Sequence, residues 1–108
     1  MLTHTHWDHV QGLPFFVPLY LPQFEWTIYG PRGIAKSLQE ILSGQMQHDY
    51  FFVRLGDLTS KTKYQGLCGD MEKSFWIYGE IIDCDCPTSS IEVTSKYLNH
   101  SLLTLGYA

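Results

Sequence analysis

The sequence predicts an α/β protein in which layers of sheet and helix present a ligand loop at a strand end. Three observations predict it. A β-branched and aromatic run spans Trp26 to Tyr29, a single amphipathic stripe is marked by Ile34, Leu38, Ile41 and Leu42, and several strand-like segments fill the second half.

Taken in order, Leu2 and Thr3 read as the last residues of a strand, and His4 to His9 as a polar loop. Val10 to Phe16 starts a short helix or turn that Gly12 and Pro14 keep short. Trp26 to Tyr29 is a strand bounded by Gly30-Pro31. Pro31 suits the first turn of a helix whose apolar residues, Ile34, Leu38, Ile41 and Leu42, recur at i, i+4, i+7 and i+8, with Gly44 as its C-cap. Tyr50 to Leu55 is a short apolar segment before a turn at Gly56-Asp57. Strands are expected at Thr62 to Leu67, Ser74 to Ile82, Ile91 to Leu98 and Leu102 to Tyr107, with Ile91, Val93 and Ser95 on one face. No internal repeat, low-complexity tract or Gly/Ser linker divides the chain, so its 108 residues read as a single domain, 1–108.

Composition narrows the function classes. The sequence is 44% hydrophobic and carries a formal charge of −4, which gives no strong electrostatic signal for nucleic acid or an anionic membrane. It contains no apolar run long enough to span a bilayer and no basic n-region, so a soluble chain without a signal peptide is expected. Its three cysteines, Cys68, Cys84 and Cys86, are too few for a disulfide framework and point to a reducing, cytoplasmic setting.

The chemistry concentrates at the start. Three of the five histidines, His4, His6 and His9, fall with Asp8 in the run Thr3-His-Thr-His-Trp-Asp-His9, an H-x-H-x-D-H pattern after a strand stub. On a near-extended backbone, His4 and His6 point to the same side and are able to share one ion through imidazole nitrogens, while Asp8 and His9 face a second. Two adjacent metals polarise a phosphoryl or carbonyl oxygen and activate water near neutral pH.

The segment Leu2-Thr-His-Thr-His-Trp-Asp-His-Val-Gln-Gly-Leu-Pro-Phe-Phe16 resembles the signature loop of the metallo-β-lactamase-fold hydrolases, and its Gly-Leu-Pro continuation is similar to the ribonuclease Z and phosphodiesterase-like branch. Thr27-Ile-Tyr-Gly-Pro-Arg-Gly-Ile34 and Leu98-Asn-His-Ser-Leu-Leu-Thr-Leu-Gly-Tyr107 resemble later motifs of that branch, whereas nothing from about Lys61 to Ser90 matches. The resemblance implies a partial metallo-β-lactamase αβ/βα sandwich, roughly one half, lacking the N-terminal strands and the C-terminal half. It implies that His4, His6 and His100 are the histidines of a first zinc site, that Asp8 and His9 begin a second, and that Asp8 serves catalysis. One or two zinc ions are implied in the intact fold and at most about one here, with phosphodiester hydrolysis as the parent activity. The expected partner is a small-molecule or phosphodiester substrate. The isolated chain is expected to be inactive and to self-associate through exposed sheet edges.

Other features carry less. Trp7 is either a packing residue or a wall of the pocket that contacts substrate. Cys84-Asp-Cys86 lacks the partner pair of a thiolate zinc site and reads as free cysteines at a strand end. His48 reads as a surface or capping residue and Asp57 as a turn residue. Phe15, Phe16, Phe24, Trp26, Phe51 and Phe52 are numerous enough for a base-stacking platform, but with few basic residues beside them they are assigned to core packing.

Overall fold

The computed structural model describes residues 1–67, 73–78, 90–99 and 104–108. The strands are β1 (Glu25–Pro31), β2 (Lys61–Leu67), β3 (Lys73–Tyr78), β4 (Ser90–Leu98) and β5 (Thr104–Tyr107), and the helices are α1 (Trp7–Val10) and α2 (Leu38–Gln45). Short 3-10 turns occupy Leu13–Phe15, Val17–Tyr20 and Leu55–Asp57. The fold is mixed α/β. β1 and β2 pair in parallel, Glu25 with Lys61 through Pro31 with Leu67, while β3, β4 and β5 form an antiparallel sheet in that order.

Apart from Leu2 and Thr3, which form no regular strand, the expected strands are found where they are described, with β1 one residue longer at its start and two longer at its end. Gly30 and Pro31 belong to β1, not to a turn or a helix start. The backbone explains why Pro31 is tolerated. Lys61 N–H donates to the Phe24 carbonyl on the β2 side, and Leu2 N–H donates to the Tyr29 carbonyl on the other side. Backbone groups alternate along a strand, so odd-numbered residues of β1 face away from β2 and the missing Pro31 N–H costs no β1–β2 bond.

α2 starts seven residues after Pro31. Its start is a capping box: Ser37 Oγ accepts from Glu40 N–H at 3.2 Å, and Ser37 N–H donates to the Glu40 carboxylate at 2.7 Å. Those bonds hold the Glu40 carboxyl below its usual range. Ile34, expected on the apolar stripe, is 90% exposed, because it precedes the cap and lies outside the helix. The C-cap is Met46, with Gly44 inside the last turn. Val10 to Phe16 likewise divides differently: α1 begins at Trp7, within the expected loop, and Leu13-Pro14-Phe15 forms a separate turn.

The buried face of α2 presents Leu38, Leu42, Gln45 and Met46. Leu38, Leu42 and Met46 pack with Val10 and Leu55, and Leu2, Leu13, Ile28, Phe51, Leu58 and Tyr64 close around them. In the antiparallel sheet, Val93, Ser95, Thr104 and Leu105 are buried. The core assignment fails for four of the six aromatics. Phe15 and Phe52 are 72% and 81% exposed, and Phe16 and Phe24 are also exposed; they meet other rings at the surface, as in the Phe51–Phe52 stack at 4.9 Å. Their positions fall in short turns and loops that bury one neighbouring residue, Pro14 beside Phe15 and Leu19 after Phe16, and leave the phenylalanines on the outer side.

Gln45 is the polar exception on the core face, its carboxamide N and O buried without a hydrogen-bond partner among the described residues. An unpaired buried amide costs about 1–3 kcal/mol. Gln45→Met, which keeps the volume and removes the polar atoms, is expected to raise the urea-unfolding free energy by about 1 kcal/mol. Leu42→Ala, at a fully buried site, is expected to lower it by about 2–5 kcal/mol.

Candidate metal centre

The loop that carries the histidines hangs from a two-residue strip. Leu2 N–H donates to Tyr29 O of β1 at 2.7 Å, and Leu105 N–H of β5 donates to Thr3 O at 2.8 Å. Leu2 and Thr3 are thus held between the two sheets without forming a regular strand themselves. The Leu2 carbonyl, beside an edge where Pro31 offers no N–H, accepts the Tyr107 hydroxyl at 2.5 Å. Gly30 makes the close approach feasible: a Cβ there would lie 3.2 Å from Leu2 Cβ and 3.2 Å from Leu38 Cδ1.

From this anchor the next residue, His4, turns inward and is buried, with its Nδ1 3.0 Å from Thr3 Oγ1. With the proton on Nδ1, the imidazole donates to the hydroxyl and Nε2 keeps the lone pair that a metal ligand needs. His6 is half-buried at the N-cap of α1, and Asp8 and His9 are exposed on α1 itself, which Val10 pins to the core. The rings converge. His4 and His6 lie 5.0 Å apart edge to face, and His4 and His9 lie 4.0 Å apart at 47°. Asp8 Oδ2 sits 3.4 Å from His9 Nε2.

The set has the donor chemistry of a zinc site, three imidazoles and a carboxylate. The rings, however, meet in ring-on-ring contacts, and among the described residues no three His, Cys, Asp or Glu groups are arranged to hold an ion. His100 lies outside the described residues, as do Cys68, Cys84 and Cys86. Trp7 is 62% exposed at the start of α1, which leaves its indole at the surface beside the histidines in sequence. An apolar hollow of about 310 Å³ adjoins His9, walled by Leu2, Val10, Leu13, Phe16 and Leu42.

Two supporting residues escape a reading of the motif. Thr3 orients His4 and is adjacent to it, so its role was open to inference from the sequence. Tyr107 is separated from Leu2 by 105 positions, and no local pattern signals their bond.

The chain has a distant, ribonuclease Z-like relationship to a curated protein. Over 111 aligned residues the chain is 31% identical to the ribonuclease Z of Limosilactobacillus fermentum, a match that takes in 98% of this chain and 28% of the relative. The chain therefore spans little more than a quarter of the length of the relative it matches. No family model matches the sequence, and no solved structure matches the chain. No helix among the described residues is long and apolar enough to cross a membrane.

Burial raises the Tyr107 hydroxyl from 10.0 to about 12. An acid whose folded-state pKa lies above its unfolded value contributes fully below the unfolded value, and the contribution is lost as pH climbs through the folded one. Stability is therefore expected to fall between pH 10 and about 12 as the unfolded chain gains a phenolate that the folded chain resists. Tyr107→Phe should remove that part of the fall. It should also cost about 0.5–1.5 kcal/mol at pH 8, where the hydroxyl-to-Leu2 bond is intact, both effects being read from urea midpoints across the pH range.

Proposed function

We propose that the chain is part of a metal-dependent hydrolase of the metallo-β-lactamase fold, acting on phosphodiesters in the whole protein. The observation that carries the reading is the buried His4, hydrogen-bonded through Thr3 and in ring contact with both His6 and His9. The ribonuclease Z likeness supports the same reaction class. His4, His6 and His100 would hold a first zinc, and Asp8 and His9 would begin a second. His100 is included because the run Leu98 to Tyr107 resembles the family's later motif, in which a histidine is followed within several residues by Gly-Tyr. Zinc, when bound, supplies Lewis-acid polarisation of a phosphoryl oxygen and lowers the pKa of water.

The residues of the chain have separate tasks in this scheme. Thr3 holds the orientation of the His4 ring through the contact of its hydroxyl with Nδ1. Asp8, exposed and 3.4 Å from His9, is placed to accept a proton or to fix that imidazole. Trp7 offers an exposed flat face for the substrate beside the loop. Closing the site requires the imidazoles to exchange ring contacts for a common centre, so metal binding and ordering of the loop are coupled.

A second reading is that of a catalytically inactive remnant that at most binds metal or self-associates. On that reading this segment binds metal weakly or not at all and turns over nothing by itself.

Metal analysis after dialysis against zinc separates the two. The first reading expects no more than about one zinc per chain, lost on His4→Ala or His6→Ala, because only the first site has three histidines to offer. Two tightly held ions per monomer would overturn that stoichiometry, and zinc retained by both variants would overturn the ligand assignment. Phosphodiester turnover by the chain alone would exclude the second reading.

A further inference from the structure

A cleft of about 260 Å³ opens where α2 ends, lined by Ser43, Met46, Gln47, His48 and Arg54. It is built entirely within the segment 43–54, and both of its walls hang on the core. Met46, at its floor, and Leu55, next to Arg54, are buried in one cluster. Between them the Tyr50 and Phe51 N–H groups both donate to the Gln47 carbonyl at 2.8 Å and turn the chain back on itself. Arg54 is the N-cap of the 3-10 turn Leu55–Asp57, and its carbonyl accepts the Asp57 N–H at 3.0 Å. The backbone on each side of the cleft is therefore fixed by a core residue and by its own hydrogen bonds.

The lining residues are rich in donors. Arg54 supplies a planar guanidinium fork, and His48, Ser43 and Gln47 add an imidazole N–H, a hydroxyl and a carboxamide NH2. No carboxylate among the described residues lines the cleft, although the chain carries 11 acidic residues against 7 basic ones. The acids nearest in sequence, Glu40, Asp49 and Asp57, stand outside it, and Glu40 is engaged at the opposite end of α2 by Ser37.

Basic residues past a helix end ordinarily meet its last carbonyls. Here the carbonyls of the lining residues Ser43 and Gln47 are already taken by backbone N–H groups, the first by Met46 at 3.1 Å and the second by Tyr50 and Phe51. Among the described residues the ion pairs are Asp8 with His9 and Glu25 with Lys61, so neither His48 nor Arg54 has its charge or its donors committed to a carboxylate there. What complements the cleft is a compact anion that only accepts hydrogen bonds and offers oxygens in several directions. A carboxylate has two oxygens in one plane and is satisfied by the guanidinium fork alone, whereas a tetrahedral phosphate also uses the other three donors. Since a water takes up about 30 Å³, the cleft has room for a phosphate with water around it.

We propose that the cleft at the end of α2 binds a phosphate group, with Arg54 as the bidentate partner and His48, Ser43 and Gln47 as further donors. The proposal is independent of the metal reading, because no residue of the histidine loop lines the cleft. A free phosphate and the diester of a nucleotide strand share the required chemistry, and affinity separates them.

Backbone-amide NMR of the metal-free chain, titrated with inorganic phosphate against chloride at matched ionic strength, tests it. The expected result is a set of saturable shifts centred on residues 43–54. Arg54→Gln should raise the dissociation constant at least about tenfold and His48→Gln by a smaller factor. Both side chains are exposed, so the far-ultraviolet circular dichroism spectra of the variants should match that of the parent chain. Repeating the titration with a dinucleoside monophosphate, charged only at its diester, identifies the occupant. Tighter binding than inorganic phosphate assigns the cleft to a nucleotide strand, and weaker binding assigns it to a free or terminal phosphate. Shifts that never saturate would overturn the proposal, as would saturable shifts that both folded variants leave unchanged or that centre on His6 to His9.

Discussion

The histidine loop of this protein is held by the strip Leu2-Thr3 between two sheets. One hydrogen bond ties it to Tyr29 of β1, another ties it to Leu105 of β5, and the Tyr107 hydroxyl closes the carbonyl that Pro31 leaves without a donor. The strip is short, and its side chains are divided between tasks: Leu2 packs against the core, and Thr3 turns His4.

From that constraint the rest of the site follows in sequence order. His4 is buried because it comes directly after the tether, and His6 caps a four-residue helix whose last residue, Val10, reaches the same core as α2. The loop is therefore pinned at both ends, at Thr3 and at Val10, and the three imidazoles converge within the six residues between them.

How far this was legible in the sequence differs from element to element. β1, β2 and β4 were legible because β-branched and aromatic runs are bounded by Gly, Pro and turn residues. The helix was legible as a stripe but misplaced at its start. Pro31 reads equally well as a first-turn residue and as an edge-strand residue, and only the pairing with Leu67 decides between them. The Ser37–Glu40 capping box was available in the sequence and gives the true boundary. For the exposed phenylalanines, composition suggests burial, but a short turn has room to bury only one residue, and Pro14 and Leu19 take those places.

The sequence by itself determined the donor set: the spacing of His4, His6, Asp8 and His9 is a local property, and a local pattern survives any arrangement of the remainder. What only the tertiary structure decided is which of these features meet. The bond between Tyr107 and Leu2 and the closure of β5 on Thr3 both depend on contacts between residues far apart in the chain. Such contacts are set by how sheets and helix pack together and leave no mark in any short window of sequence.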